Sequence, residues 1–170
     1  MQTLRGERVV LRPGVESDVA QLRRILEEPE VASWWSRLSE QEIREEFAGS
    51  APGFVIEVDD EVIGGIQYSE ENEPMYRHAG MDVFLSAARQ GRGYGTEAVR
   101  VLARYLLDER GHHRLTIDPA AHNEVAIRTY ERVGFRTVGV MRKYERGQDG
   151  TWHDGLLMDL LEEDFVDSDA

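Results

Sequence analysis

The feature that most constrains the fold is a glycine-rich segment at residues 89–97, which reads RQGRGYGTE. It follows an apolar, strand-like run, MDVFL, and precedes AVRVLARYLL, whose apolar residues recur at helical spacing. Glycines at the start of a helix lower its propensity, by up to about 1 kcal/mol each relative to alanine. The pattern therefore predicts that exposed backbone is needed where this helix begins.

Counting residues along this segment excludes two phosphate-binding motifs. From Gly91, a dinucleotide fingerprint requires a glycine where the chain has Thr96, and a P-loop requires a Gly-Lys-Ser/Thr sequence that the segment lacks. Backbone N–H groups at a helix N-terminus still bind phosphate, because the positive end of the helix dipole lies there. The segment predicts either a pyrophosphate cradle with Arg89 and Arg92 at its rim, or a purely structural helix start.

Composition bounds the class of protein. The 170 residues fit one domain, expected over residues 1–170 with a frayed acidic tail at 163–170. A formal net charge of −13 disfavours nucleic acid and anionic membranes as partners, and favours cationic partners or simple solubility. With no cysteine, no signal-peptide pattern and no apolar run near the ~18 residues of a membrane span, we expect a cytoplasmic monomer or homodimer.

Hydrophobic periodicity predicts elements in the order β, α, α, β, β, β, α, β, α, β, β, which indicates an α/β chain with helices on both faces of a mixed sheet. A capping box of Ser39 and Glu42 starts the second helix, and Asp59, Asp60 and Glu61 form a tight hairpin turn. Two helices have predicted core faces, at Val19, Leu22, Ile25 and Leu26 in the first and at Val125, Ile127, Tyr130 and Val133 in the last.

Residues 90–95, QGRGYG, resemble the Gln/Arg-x-x-Gly-x-Gly/Ala signature of the GNAT superfamily of acetyl-CoA-dependent N-acetyltransferases, whose loop holds the coenzyme's pyrophosphate. Asn123 and the following AIRTYERVGF resemble the second coenzyme-contacting helix of that family. The resemblance covers residues 7–162 and is strongest over 79–135. It implies a GNAT fold, with a mixed central sheet of about seven strands, about four flanking helices and splayed central parallel strands.

Two longer segments narrow the resemblance. GMDVFLSAARQGRGYGT and IDPAAHNEVAIRTYERVGF are similar to aminoglycoside 6′-N-acetyltransferases, and the pair Trp34 and Trp35 fits that branch. The Asp-Pro pattern also resembles siderophore and lysine N-acyltransferases, and the closing GQDGTWHDGLLMDLL resembles ribosomal-protein and polyamine acetyltransferases. The implied function is direct acetyl transfer from acetyl-CoA to a small polycationic amine, foremost the 6′ amine of an aminoglycoside, with antibiotic resistance as its consequence.

The acceptor amine must lose a proton, because aliphatic amines are mostly protonated near pH 7. The resemblance implies Asp82, in mid-strand, as the base, and Asp118 as a second base or substrate anchor; an outward-facing strand residue and an Asp-Pro turn are the alternatives. It implies Tyr130 as proton donor to the departing thiolate and Asn123 as a coenzyme contact. A core aromatic ring and a helix N-cap are the structural roles expected for these two residues, and each is compatible with coenzyme contact.

The other expected contacts are with the two substrates, and packing in the core is the alternative for Trp34, Trp35 and Trp152. A backbone N–H near residues 83–85 is expected to bind the acetyl oxygen. The five histidines have no metal-ligand spacing, so no metal is expected. A non-catalytic acyl-CoA-binding module is the alternative of another class. Coenzyme contacts are expected from Val83, Phe84, Leu85, Gln90, Gly91, Arg92, Gly93, Tyr94, Gly95, Thr96, Asn123 and Tyr130, and acceptor contacts from Trp34, Trp35, Asp82, Asp118, Asp149, Trp152 and Asp154.

Overall fold

The computed structural model describes residues 2–49 and 52–168 and has eight strands in that part of the chain. They are Leu4–Arg5 (β1), Val10–Pro13 (β2), Gly53–Val58 (β3), Glu61–Glu71 (β4), His78–Leu85 (β5), Arg114–Ile117 (β6), Arg136–Arg146 (β7) and Trp152–Leu161 (β8). They form one mixed sheet in the order β1-β2-β3-β4-β5-β6-β8-β7, in which β5 and β6 are parallel.

Five α-helices accompany the sheet in the described residues. They are Val19–Leu26 (α1), Pro29–Ala32 (α2), Glu40–Phe47 (α3), Tyr94–Arg104 (α4), which continues as a π-helical turn at Tyr105–Glu109, and Glu124–Glu131 (α5). The predicted α/β class and mixed sheet are confirmed, with one more strand and one more helix than expected. The additional elements β1 and α2 are two and four residues long, too short for hydrophobic periodicity to reveal. None of the described helices is long and apolar enough to cross a membrane.

The chain divides into two compact units, Met1–Tyr68 with Asp82–Leu102 and Ser69–Met81 with Ala103–Ala170. In the first unit, the predicted face of α1 is confirmed, since all four of its residues are buried together with Ile43, Phe47 and Phe84. The capping box is also confirmed: Ser39 Oγ accepts the Glu42 N–H, and the Glu42 carboxylate accepts the Ser39 N–H at 2.7 Å.

The hairpin of β3 and β4 has the predicted acidic turn. Asp59 and Asp60 have φ of 52° and 62°, so both residues adopt the left-handed conformation that a two-residue hairpin turn requires. Glu61 is already the first residue of β4. The turn is therefore formed by two residues rather than three.

The parallel strands of the second unit pair only briefly. The register joins Ala79 to Leu115 and Gly80 to Thr116, although β6 continues to Ile117 and β5 continues beyond Gly80. This short pairing agrees with the splayed central strands that the family resemblance implies. On its other side β6 is antiparallel to β8, which in turn pairs with β7.

The prediction that Val125 belongs to the core face of the last helix is wrong. Tyr130 and Val133 are buried and Ile127 is half-buried, but Val125 is 63% exposed. Val125 precedes Tyr130 by five residues, which places it about 140° away around an α-helix. It therefore lies outside the apolar face of α5.

Three residues of the expected acidic tail make contacts in the second unit. Asp164 forms an ion pair with Arg136, and the N–H of Val166 donates to the carbonyl of Val133 at 3.0 Å. Asp167 forms a further ion pair, with Arg104. These contacts hold residues 164–167 in place, and residues 169 and 170 lie outside the described part of the chain.

Candidate functional site

The glycine segment forms the turn that leads into α4, as the sequence predicts. Gly91 and Gly93 have φ of 71° and 85°, a conformation that glycine adopts without the steric cost of a Cβ. A Cβ on Gly91 would meet no atom within 4 Å, so the requirement there is conformational. A Cβ on Gly93 would also lie 3.0 Å from the guanidinium Nη2 of Arg8. Gly95 and Thr96 lie within the first turn of α4.

The residues that precede the loop are fixed to the end of β5. The Glu28 carboxylate accepts hydrogen bonds from Ser86 Oγ at 2.9 Å and from the Ala87 N–H at 2.7 Å. Gln90 Nε2 donates to the carbonyl of Leu85 at 3.0 Å. The Gln90 side chain therefore holds loop backbone, a structural contact that accompanies its expected coenzyme role.

Arg8 lies beside the loop in addition to the expected Arg89 and Arg92. Arg89 forms an ion pair with Glu61, so its charge is already partly neutralised. Arg92 is exposed. A third arginine, Arg8, donates from Nη1 to the Arg92 carbonyl at 3.0 Å. Arg8 precedes β2 by only two residues but contacts a loop more than 80 residues later. At that separation, the spacing of residues in the sequence does not predict a contact.

A buried carboxylate, Glu97, lies in the first part of α4 and was not among the predicted site residues. Its Oε1 accepts the N–H groups of Arg8 at 2.6 Å and Val9 at 3.0 Å, and its Oε2 accepts Arg8 Nε at 3.0 Å. Burial opposes ionisation of Glu97, but the hydrogen bonds from Val9 and Arg8 and the charge of Arg8 outweigh it and lower its pKa. Glu97 is therefore an anion with its charge directed toward Arg8.

The second half of β5 contains Asp82 and part of the aromatic core. Asp82 is exposed, in a strand where Phe84 is buried. The two tryptophans differ: Trp35 Nε1 donates to the Val83 carbonyl at 3.2 Å and its ring packs edge-on against Phe84, whereas Trp34 is 39% exposed. Trp35 therefore has a core role, and acceptor binding stays a prediction for both.

In the second unit, Asp118 follows β6 directly and is half-buried. Its Oδ2 accepts a hydrogen bond from the hydroxyl of Tyr144 at 2.5 Å. Tyr144 lies in an irregular part of β7, next to Lys143, whose φ of 50° interrupts the regular pairing. The Lys143 N–H donates to Asp154 Oδ1 at 2.8 Å. Two predicted acceptor-binding residues, Asp118 and Asp154, thus both contact the same short stretch of β7.

The carboxyl group of Glu145, in the same part of β7, interacts electrostatically with Asp118. Partial burial raises the pKa of Glu145, Asp118 raises it further, and His153 acts in the opposite direction. Asp149 has a lowered pKa, because it accepts hydrogen bonds from the N–H and hydroxyl of Thr151 and binds His153. The sequence did not indicate Glu145, since its electrostatic partner comes from another strand.

The structural roles expected for Asn123 and Tyr130 are both confirmed. Asn123 is the N-cap of α5, with Oδ1 accepting the Ala126 N–H at 3.2 Å. Tyr130 is buried and its ring packs edge-on against Phe135. Trp152 is 58% exposed at the start of β8. The coenzyme and acceptor roles of these residues stay predictions. Within residues 2–49 and 52–168, no group of three or more His, Asp or Glu could hold a metal ion.

The predicted site residues thus form two groups. The first unit contains the glycine loop, residues 82–85 and the tryptophan pair, and the second contains the carboxylates around β7 together with Asn123 and Tyr130.

A family model described as an acetyltransferase (GNAT) domain matches residues 8–136. The chain belongs to the GNAT acetyltransferase family. It is an acetyl-CoA-dependent N-acetyltransferase.

Individual relatives of this GNAT enzyme are similar over most of its length. The aminoglycoside N(6′)-acetyltransferase type 1 of Klebsiella pneumoniae is 29% identical over 158 residues, covering 80% of this chain and 78% of the relative. A structure of AAC(6′)-Ib in complex with ribostamycin and coenzyme A has a TM-score of 0.76 at 26% identity, covering 96% of this chain and 100% of that one. A GNAT-family acetyltransferase from Bacillus anthracis has a TM-score of 0.84 at 18% identity, covering 95% and 99%, and shows the fold alone.

Proposed function

We propose that this GNAT enzyme acetylates a primary amine of a small polycationic molecule, foremost the 6′ amine of an aminoglycoside. The observation that carries the proposal is a set of four carboxylate side chains in the second unit, which are those of Asp118, Glu145, Asp149 and Asp154. Two of these side chains interact electrostatically, because Asp118 adds to the larger effect of burial in raising the pKa of Glu145. A ligand with several ammonium groups complements such a surface. The aminoglycoside activity of the relatives named above supports the same acceptor.

The glycine loop is the proposed site for the coenzyme's diphosphate. Residues 91–95 offer backbone N–H groups at the N-terminus of an eleven-residue helix, and the left-handed Gly91 and Gly93 bring that backbone to the surface without side chains in front of it. This arrangement fits a diphosphate, whereas side chains at those positions would not. Bound acetyl-CoA supplies the acetyl thioester. Asn123 and Tyr130 are the further proposed coenzyme contacts.

Each polar residue of the proposed mechanism has a separate task. Asp82 removes a proton from the acceptor ammonium group, directly or through water, and is exposed in the second half of β5, the strand that leads into the loop. Asp118 holds an ammonium group of the acceptor, because the Tyr144 hydroxyl fixes its carboxylate in one orientation. Tyr130 donates a proton, or a hydrogen bond, to the departing thiolate. A backbone N–H near Val83 binds the acetyl oxygen.

The test is acetyl-CoA turnover, measured as free thiol, with kanamycin and ribostamycin as acceptors and spermidine and a basic peptide as alternatives. Asp82→Asn is expected to lower kcat by roughly 10²–10⁴, the usual contribution of a general base. The KM for acetyl-CoA should stay within about twofold, since Asp82 has no proposed coenzyme contact. Asp60→Asn is the matched control, because Asp60 is an exposed hairpin residue whose φ of 62° asparagine tolerates.

The possible results separate the parts of the proposal. Thiol release with spermidine or the peptide, and none with either aminoglycoside, would contradict the acceptor but leave the enzyme class intact. Full activity of Asp82→Asn would refute the assigned base. Tyr130→Phe should lower kcat and preserve coenzyme binding; an unchanged kcat would remove Tyr130 from the mechanism.

A further inference from the structure

The Arg8 side chain makes three contacts with the glycine loop and the beginning of α4. Nη1 donates to the carbonyl of Arg92 at 3.0 Å, and Nε donates to Glu97 Oε2 at 3.0 Å. The guanidinium also lies over the ring of Tyr94, with Cζ 4.9 Å from the ring centroid, within the range of a cation–π interaction. The Arg8 side chain is 46% exposed, so these contacts are made at the surface of the first unit. One side chain thus contacts the loop and the beginning of α4.

The hydrogen bond to Arg92 sets the direction of a loop N–H. The peptide between Arg92 and Gly93 is trans, so its carbonyl and the Gly93 N–H lie in the peptide plane and point in opposite directions across the C–N bond. Because Arg8 binds that carbonyl on one side, the Gly93 N–H is directed to the other. With its φ of 85°, Gly93 continues the turn that leads into α4. Arg8 therefore orients a donor that it does not itself contact.

Glu97 explains why the residue at position 8 is a cation. A carboxylate near the N-terminus of α4 stabilises the helix but opposes the binding of another anion there. In this structure Glu97 is turned to Arg8 and to the N–H groups of Arg8 and Val9, and its side chain is only 11% exposed. The ion pair offsets the negative charge of Glu97. Glu97 Oε1 also accepts the N–H groups of Arg8 and Val9, and so fixes the backbone from which the Arg8 side chain reaches the loop.

We propose that Arg8 is a positioning residue for the coenzyme, holding the Arg92–Gly93 peptide in the orientation in which the loop N–H groups bind the diphosphate. The proposal rests on the coenzyme role of the loop proposed above. Glu97 supports Arg8 in this task. The position of Arg8 outside the family's loop signature explains why that signature alone does not reveal it.

The experiment measures equilibrium binding by calorimetry, with coenzyme A and dephospho-coenzyme A as probes. Both probes have the diphosphate, but only coenzyme A has the 3′-phosphate. Arg8→Met is expected to raise the Kd of both by about tenfold, the equivalent of 1.4 kcal/mol. Arg8→Lys should fall between Arg8→Met and the native protein, because an ammonium group cannot donate to Glu97 and Arg92 in the same forked geometry. Arg5→Met, the same charge change at an exposed position three residues earlier, should leave both Kd values unchanged.

Kinetics and stability provide the second readout. A positioning role predicts that Arg8→Met raises the KM for acetyl-CoA about tenfold while kcat at saturation stays within about twofold. If Arg8→Met does not fold, Glu97→Gln tests the same contact, with an expected rise in Kd of about threefold. A lower urea midpoint with unchanged Kd values would show that Arg8 is structural only and overturn the proposal. A loss confined to coenzyme A would also overturn it, since Arg8 would then bind the 3′-phosphate.

A loop variant separates this proposal from the one on which it rests. Gly91→Ala strains a residue with φ of 71° and has open space for its Cβ, so it perturbs the loop without disturbing its neighbours. If Gly91→Ala weakens coenzyme binding and Arg8→Met does not, only the role of Arg8 fails. If neither variant changes the Kd, the coenzyme role of the loop fails as well.

Discussion

Asp18 allows a quantitative test of how the first unit is held together, independent of any assigned function. It lies directly before α1 and is only 7% exposed. Its two carboxylate oxygens accept Arg12 Nη1 at 2.7 Å and Nη2 at 3.1 Å, and Oδ2 also accepts the Val15 N–H at 2.8 Å. The bidentate pairing with Arg12 joins the start of α1 to β2, which carries Arg12.

The cost of Asp18→Ala follows from what each partner loses. A hydrogen bond to a charged group contributes about 1.5–3 kcal/mol, and a buried donor left without a partner costs about 1–3 kcal/mol. Arg12 keeps a second carboxylate, Glu57, at 2.6 Å, so its charge is not left unpaired. We therefore expect Asp18→Ala to lower the free energy of unfolding by about 3 kcal/mol, mainly through Val15 and the lost Arg12 bonds. Asp18→Asn should cost about half as much, because an amide oxygen still accepts one donor.

The effect must depend on pH in a defined direction. Burial opposes ionisation of Asp18, but the bonds from Arg12 and Val15 outweigh it, so its pKa is lowered. The stabilisation is therefore complete above the ordinary aspartate pKa of about 3.9 and is lost as the pH falls through the lower folded-state pKa. Urea unfolding at pH 7 and pH 3 should show the gap between native protein and variant narrowing at pH 3.

The control is Glu16→Gln, which changes an exposed carboxylate of the same turn whose partner is Arg44. Because that ion pair is fully solvated, the urea midpoint should not move measurably. If Asp18→Ala unfolds at the same urea concentration as Glu16→Gln at pH 7, the buried ion pair does not stabilise the unit. A gap of equal size at both pH values would show that its origin is packing rather than charge.

Three further predictions concern single contacts. Asn123→Ala should lower the free energy of unfolding by about 1 kcal/mol in urea titrations, because α5 loses its N-cap, and Asn123→Ser should recover most of that loss. Gly64→Ala would place a Cβ 2.1 Å from the Phe84 carbonyl oxygen and should destabilise by about 3 kcal/mol or more, measured by thermal unfolding, whereas Gly139→Ala, with no atom within 4 Å, should cost little. Tyr144→Phe releases Asp118 and should raise the KM for a polycationic acceptor severalfold without changing the KM for acetyl-CoA, in steady-state kinetics.

Local patterns could be predicted from the sequence because their partners lie within one or two helical turns. The apolar face of α1 repeats at the helical period, and all four of its predicted residues are buried. The capping box joins Ser39 to Glu42, three residues apart, and the hairpin turn needs only two adjacent residues with positive φ. In each case the chemistry depends on spacing that the sequence displays directly.

Contacts between distant segments could not be predicted in this way. Arg8 and Glu97 are 89 residues apart, and Asp118 and Tyr144 are 26 apart. Arginine and tyrosine side chains are long and can reach several neighbouring elements, so neither residue type nor spacing selects the partner. Val125 failed for a related reason: its apolar character fits a core, and only its angle around α5 excludes it.

The three glycines of the loop show how much a sequence motif leaves undetermined. The motif presents Gly91, Gly93 and Gly95 as equivalent, yet the structure gives them different reasons to be glycine. Gly91 needs only its left-handed φ, Gly93 needs that conformation and also space for Arg8, and Gly95 lies within α4. A Cβ would be strained by the positive φ at both Gly91 and Gly93, and at Gly93 it would also lie 3.0 Å from the guanidinium that binds the preceding carbonyl. The residue that makes Gly93 the more demanding position is therefore Arg8, outside the motif.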